Sequence, residues 1–387
     1  MKGSAYIFIT KASLVTVFGL VSIMTPVYLT RLGYSPLYVG LSLMVIIAGN
    51  AVSNIFVTWY GDRFGRRNSL LLFSLLMFTS GLALFCTTSL SLILLAIFIG
   101  NISTTGTEAG PFQSIETGVL PSMVGEKKMD RAFGVYNLLG YGGASIGAWL
   151  ASLPSFWGEQ PFIFQYLYLA YGLVGLLLFV LYRNLTDIEP ATKDKGRRTR
   201  VKARSDLTKL SILFSVDAFG GGFVTQSILS YWFFLIYGVS LMDLGNIFFV
   251  VNVITALSTL GSSFVAERLG NLRTMVYTHL LSNAFLIAVP LAGSFVGALA
   301  FLFLRQSVSQ MDVAPRQAFM AVIFDENDLV SANAVTNTLR ILSSIFGGPL
   351  SGVALFTGLA SLPLLVGGFS KVTYDLAVFS FYRKRTR

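Results

Sequence analysis

Ionisable side chains inside long apolar runs are where this chain can do chemistry, because each is expensive to keep there. Asp217 lies eight residues into an apolar run near 209–236, about 12 Å along it at 1.5 Å per residue, and Gly220-Gly221-Gly222 follows. Arg305 lies ten residues into the run near 295–316, about 15 Å deep. Similar depth predicts that the two charged groups meet, directly or through one water, and that an anion or a proton on Asp217 separates them. Gln226 is the uncharged candidate in the same run as Asp217. Glu108 and Asp312 occupy matching places in two further runs, and Asp217 and Glu108 are the carboxylates suited to carrying a proton, since burial favours the neutral acid. Asp312 and Arg316 stand four apart, one helical turn, and read with Arg340 as gate residues. Lys11 reads as a snorkelling lysine and His279, alone of its kind, as a packing residue. One His and one Cys (Cys86) exclude an internal disulfide, a His/Cys metal site and a nucleophile triad. No GxxxxGK[ST] phosphate loop is present, and no cofactor is expected.

The elements that must position these residues are membrane helices. The composition is 54% hydrophobic and 12% charged, with mean hydropathy +0.71, against about 25% charged in an ordinary soluble domain. Twelve runs reach the roughly 20 residues that a span requires. Six lie near 6–30, 38–60, 68–88, 91–115, 132–153 and 163–182, and six near 209–236, 243–265, 272–292, 295–316, 334–355 and 359–381. The fold class is therefore an all-α membrane protein, with a bundle at 1–182, a linker at 183–208 and a bundle at 209–387. The net charge of +10 does not point to nucleic acid, because the basic residues sit in short connections. With the amino terminus inside, Arg31 is the one basic residue left in an outer connection. Both termini and the linker, which contains DKGRRTRVKAR, are thereby expected in the cytoplasm of a cell-membrane protein. The partners expected are the lipid bilayer, a small-molecule substrate and a proton, with the chain acting as a monomer.

The second half repeats the first. Gly61-Asp62-Arg63-Phe64-Gly65-Arg66-Arg67 follows the second run, and Glu267-Arg268-Leu269-Gly270 stands 205 residues later. The same offset aligns Ser35 with Ser240 and Gly40 with Gly245. Glu108, Pro111 and Gln113 match Asp312, Pro315 and Gln317 at offset 204, and Asn137 and Gly147 match Asn337 and Gly347 at offset 200. Asp62 would sit near the positive end of a helix of the second half, worth about 0.3–1 kcal/mol, so the turn reads as a latch and not only as a topology anchor.

Twelve spans in two parallel halves with this turn resemble the major facilitator superfamily. Its signature G-x-x-x-D-[RK]-x-G-[RK]-[RK] is matched by Asp62, Arg63, Gly65, Arg66 and Arg67. Thr58 stands at the leading glycine, and the second copy keeps Glu267, Arg268 and Gly270. DAFGGGF, MDVAPRQAF and LPLLVGGFSKVTYDLAVF are similar to a prokaryotic group of the superfamily. The drug-antiporter glycines are met in part by Gly140, Gly142, Gly143 and Gly147, without the proline. The resemblance implies a secondary transporter that works by alternating access. Spans one, four, seven and ten would line its cavity, and spans three, six, nine and twelve would face lipid. Proton-coupled export of an amphipathic organic compound is the reading implied, with an anionic metabolite held by Arg305 as the alternative in transport. A non-transporting membrane sensor is the alternative of another class. Cysteine placed at Ser205, in a background lacking Cys86, is expected to resist an impermeant thiol reagent in intact cells. Rapid labelling there would overturn the orientation.

Overall fold

Single glycines form the joints between the second and third spans and between the eighth and ninth. Gly65 (φ 95°, ψ 139°) and Gly270 (φ 80°, ψ 157°) share one backbone conformation, which residues bearing a Cβ rarely adopt. The repeated turn of the sequence is thus repeated in space. The structure is a computed structural model that describes all residues except 1, 109, 125–128, 186–203, 325 and 384–387. The sequence-predicted linker falls largely outside the described residues.

The first six spans are α1 (Lys2–Arg31), α2 (Pro36–Phe64), α3 (Arg66–Cys86), α4 (Leu90–Ile99) with α5 (Gly110–Val124), α6 (Met129–Leu150) and α7 (Pro161–Arg183). The second six are α8 (Arg204–Gly222) with α9 (Gln226–Tyr237), α10 (Leu241–Leu269), α11 (Asn271–Leu291), α12 (Phe295–Val308) with α13 (Val313–Ile323), α14 (Glu326–Ser344) with α15 (Gly347–Phe356), and α16 (Leu362–Tyr382). Among the described residues no strand occurs, and nine helical segments are long and apolar enough to cross a membrane. This is the twelve-helix architecture expected.

Spans four, seven, ten and eleven are broken, where continuous helices were expected. Pro111 and Pro315, matched in the repeat, stand in the first turns of α5 and α13. A proline there forfeits no helical hydrogen bond, since the first amides have no partner in any case. In span four the segment between α4 and α5 includes Asn101 with φ 54°. Irregular backbone at membrane depth is tolerated only where protein or water satisfies it. Here Tyr171 donates to the Gly100 carbonyl, Asn50 to that of Ile102 (2.6 Å) and the Ser227 amide to that of Thr104 (3.0 Å).

Packing divides the chain into two compact units, Met1–Asp194 with Thr225–Asn252, and Lys195–Val224 with Val253–Arg387. In the first, α1 lies against α6, and glycines bring the two backbones close at several points. A Cβ on Gly147 would overlap the carbonyl of Thr16, and one on Gly19 would come within 2.5 Å of the Ala144 carbonyl oxygen. Such close approach supplies the dispersion contacts that hold helices together in lipid. In the second, Leu210, Phe214, Met275, Phe319, Tyr374 and Tyr382 form a core in which α8, α11, α13 and α16 meet. Gly147→Val is expected to lower the melting temperature of purified protein clearly, since over-packing costs about 1–3 kcal/mol. An unchanged melting curve would contradict the α1–α6 contact.

Candidate functional site

Among the described residues, the largest gathering of buried charge lies inside the second unit, where five helices contribute to one cluster. Asp217 on α8 is 2% exposed. Its Oδ1 accepts from Lys371 Nζ on α16 at 2.7 Å. Its Oδ2 faces Arg340 Nη2 on α14 at 3.5 Å and Arg316 Nη1 on α13 at 3.7 Å. Arg316 also reaches Asp312, the residue capping α13, at 3.5 Å, so the expected pair four apart is formed. On α11, His279 Nε2 lies 3.6 Å from Asp217 Oδ1, and its Nδ1 lies 2.8 Å from Asp375 Oδ1 on α16. Asn283 Nδ2 donates to Asp375 Oδ2 at 3.0 Å.

Local sequence explains how these side chains converge. Lys371 and Asp375, and likewise His279 and Asn283, stand four residues apart and so share one helix face. Gly220 lies where a Cβ would come within 2.7 Å of the Gly367 carbonyl oxygen, which brings α8 against α16 close to the Asp217–Lys371 pair. Asp217, Asp312 and the three bases thereby each have an opposite neighbour, which a buried ion needs, while Asp375 is held by His279 and Asn283.

Arg305 does not join Asp217. The predicted pair is absent because nearer cations, Lys371 above all, already occupy both oxygens of Asp217. Arg305 donates from Nη1 to its neighbour Gln306 Oε1 at 2.5 Å, and Gln306 Nε2 donates to Thr255 Oγ1 at 3.0 Å. Its Nε is buried without a hydrogen-bond partner. Among the described residues no carboxylate lies within 4.0 Å of it.

The first unit holds a separate buried acid that the sequence reading passed over. Glu116 on α5, 1% exposed, accepts from Thr10 Oγ1 at 2.6 Å, Tyr182 Oη at 2.6 Å and Tyr136 Oη at 2.7 Å. Lys11, itself buried, lies over the Tyr136 ring at 4.6 Å and reaches Gln113 Oε1 at 3.4 Å. It is packed in protein and not snorkelling to a surface. Glu108, in the irregular segment before α5, is exposed. Gln226 is buried: its Nε2 donates to Ser22 Oγ at 2.8 Å and its Oε1 accepts from Asn252 Nδ2 at 3.3 Å.

At the turns, the side chain of Asp62 lies outside the described residues. Arg63 is exposed, Arg66 is half-buried and Arg67 donates to the Arg183 carbonyl. Glu267 is exposed, and Arg268 lies over the Phe264 ring at 4.2 Å. The residues missed were Glu116, Asp375, Lys371 and His279. All four are ionisable side chains within spans, so the rule that singled out Asp217 applies to each. His279 was set aside because span nine was expected to face lipid, and Asp375 was not weighed. The buried faces of α11 and α16 are mixed, with His279, Asn283, Lys371 and Asp375 beside Met275, Tyr374 and Val378.

Comparisons with known proteins agree with this architecture. The family described as Major Facilitator Superfamily matches residues 7–348. A Saccharomyces cerevisiae relative, "Uncharacterized membrane protein YJR124C", is 24% identical over 93% of this chain and 89% of its own length. Among solved structures, nucleoside transporter NupG superposes with a TM-score of 0.75 at 13% identity, covering 99% of this chain and 100% of its own. A D-xylose-proton symporter does so with 0.77 at 14%, over 97% of each. The human organic anion transporter MFSD10 gives 0.64 at 14%, over 97% and 98%. At such identities the likeness concerns the fold.

Proposed function

Because the chain belongs to the Major Facilitator Superfamily, we propose that it moves a small organic solute across its membrane by alternating access, coupled to protons. It is read as a transporter and not as an enzyme. Halves 1–182 and 209–387, joined through 183–208, are the bodies that rock about a central site. Each chain carries both halves, which fits action as a monomer. The distribution of lysine and arginine supports cytoplasmic termini in a cell membrane.

The observation that carries the reading is the buried cluster around Asp217. Replacing a buried ion pair by apolar residues is often neutral or stabilising, so packing alone gives little reason to keep one. Ionisable groups inside spans mark ion and substrate pathways. Asp217 is the coupling carboxylate in the second half. In the first half, the buried Glu116 meets that requirement better than the exposed Glu108. Asp312, Arg316 and Arg340 then act as gate residues that move when the charge of the cluster changes.

A second reading concerns the cargo. Arg305 faces no acid within 4.0 Å among the described residues, and its Nε is buried and unbonded. An uncompensated cation at such a place is suited to a carboxylate or phosphate, which binds the guanidinium in bidentate fashion. This favours an anionic solute over a neutral amphipathic one. The structural neighbours, named for a nucleoside, for xylose with a proton and for organic anions, fit either cargo. In proteoliposomes with an imposed pH gradient, uptake of an anionic solute from a panel is expected, abolished by a protonophore. Arg305→Gln is expected to lower that uptake at least tenfold. Binding without flux for every solute would favour a membrane sensor, and uptake unchanged by Arg305→Gln would remove the anion role.

A further inference from the structure

His279 stands between two buried aspartates, and its two ring nitrogens do different work. Nδ1 lies 2.8 Å from Asp375 Oδ1. With Asp375 ionised its oxygens only accept, so Nδ1 carries the hydrogen. Asn283 Nδ2 also approaches Nδ1, at 3.2 Å, but with that nitrogen protonated its amide hydrogen serves Asp375 Oδ2 at 3.0 Å. In the neutral ring Nε2 therefore bears a lone pair. That lone pair lies 3.6 Å from Asp217 Oδ1, acceptor beside acceptor. No hydrogen joins the two until a proton arrives.

The charges facing the ring are balanced in that state. Asp217, Asp312 and Asp375 oppose Lys371, Arg316 and Arg340, drawn from α8, α13, α14 and α16. Tyr374 on α16 lies edge-on to the imidazole at 5.8 Å. From α12, Arg305 is engaged with Gln306 and forms no ion pair with the cluster. Arg273 and Tyr277 lie on α11 itself. One added proton gives the cluster a single positive charge that no carboxylate offsets.

We infer that Nε2 of His279 is a proton-binding site, and that its occupancy decides which cations hold Asp217. This rests on the proton-coupled transport proposed above and names the group that takes up the proton and acts on the coupling carboxylate, Asp217. A proton from water adds to the Nε2 lone pair, turning imidazole into imidazolium, and leaves by the reverse step. A movement of about 1 Å then brings Nε2–H to hydrogen-bonding distance of Asp217 Oδ1. There it competes with Lys371, whose Nζ holds the same oxygen at 2.7 Å. Asp217 shared with the imidazolium holds Arg316 and Arg340 less firmly. Those arginines belong to spans ten and eleven, so the proton loosens α13 and α14 from α8.

The chain has one histidine, which makes the test direct. Full-length, tag-free protein carrying ¹⁵N-histidine in nanodiscs gives one imidazole, titrated with pH as the only probe. On acidification Nε2 is expected to pass from an unprotonated to a protonated signal, with Nδ1 protonated throughout. An Nε2 that stays unprotonated across the folded range, or an Nδ1 that loses its hydrogen instead, overturns the inference. In proteoliposomes, pH-driven accumulation by His279→Gln is expected to fall at least tenfold below that of the wild type. Accumulation equal to that of the wild type also overturns it. A wild type with no proton-driven flux would fail the transport proposal instead, and the titration of Nε2 still decides the inference.

Discussion

The charge of Asp217 has to be neutralised inside a bundle of membrane helices, and much of the second unit is arranged to do so. An isolated carboxylate in low dielectric costs several kcal/mol even after relaxation, and attraction to a partner offsets this only with good geometry. Lys371 supplies the close contact at 2.7 Å, while Arg340 and Arg316 stand farther off at 3.5 and 3.7 Å. One tight bond and two loose ones make an arrangement that can be redistributed. A single tight pair would only lock α8 to α16.

The second constraint is the backbone. Lipid offers no hydrogen bonds, so each break in a helix must be answered by protein. The break in span four is answered by Tyr171, Asn50 and Ser227, drawn from α7, α2 and α9. Buried hydroxyls and amides such as Ser22, Gln226 and Asn252 continue that polar lining within the first unit. Charge neutralisation in one unit and uncharged hydrogen bonding in the other divide the polar interior between them. The exceptions are Glu116, held by three hydroxyl donors without a directly bonded cation, and the buried Lys11 over the Tyr136 ring.

Much of the architecture was legible in the residues. Apolar runs located the twelve spans, because spanning length is set by the bilayer and not by packing. The internal offset found the joints at Gly65 and Gly270, since a positive φ demands glycine in both copies. Pro111 and Pro315 suggested helix ends or kinks, and they stand instead in the first turns of α5 and α13. The partners of Asp217 were not legible. Depth along a helix follows from counting, but azimuth depends on crossing angles and on which small residues allow close approach. Asp217 and Arg305 were paired on depth alone, whereas Gly220 against Gly367 brings Lys371 nearer. His279 was missed because a general expectation about outer helices outweighed the local rule that a buried charge needs a reason, and Asp375 was never held against that rule.

The most direct measurement is a double-mutant cycle across Asp217 and Lys371, read as the apparent melting temperature of purified protein in one detergent. Asp217→Asn leaves one uncompensated cation and Lys371→Met one uncompensated anion, each expected to be destabilising by about 3–5 kcal/mol. The double variant keeps two acids, Asp312 and Asp375, against two bases, Arg316 and Arg340, and so restores neutrality. The account predicts that it melts above either single variant. A double variant melting below both, with the losses simply adding, would show that the two charges do not depend on each other.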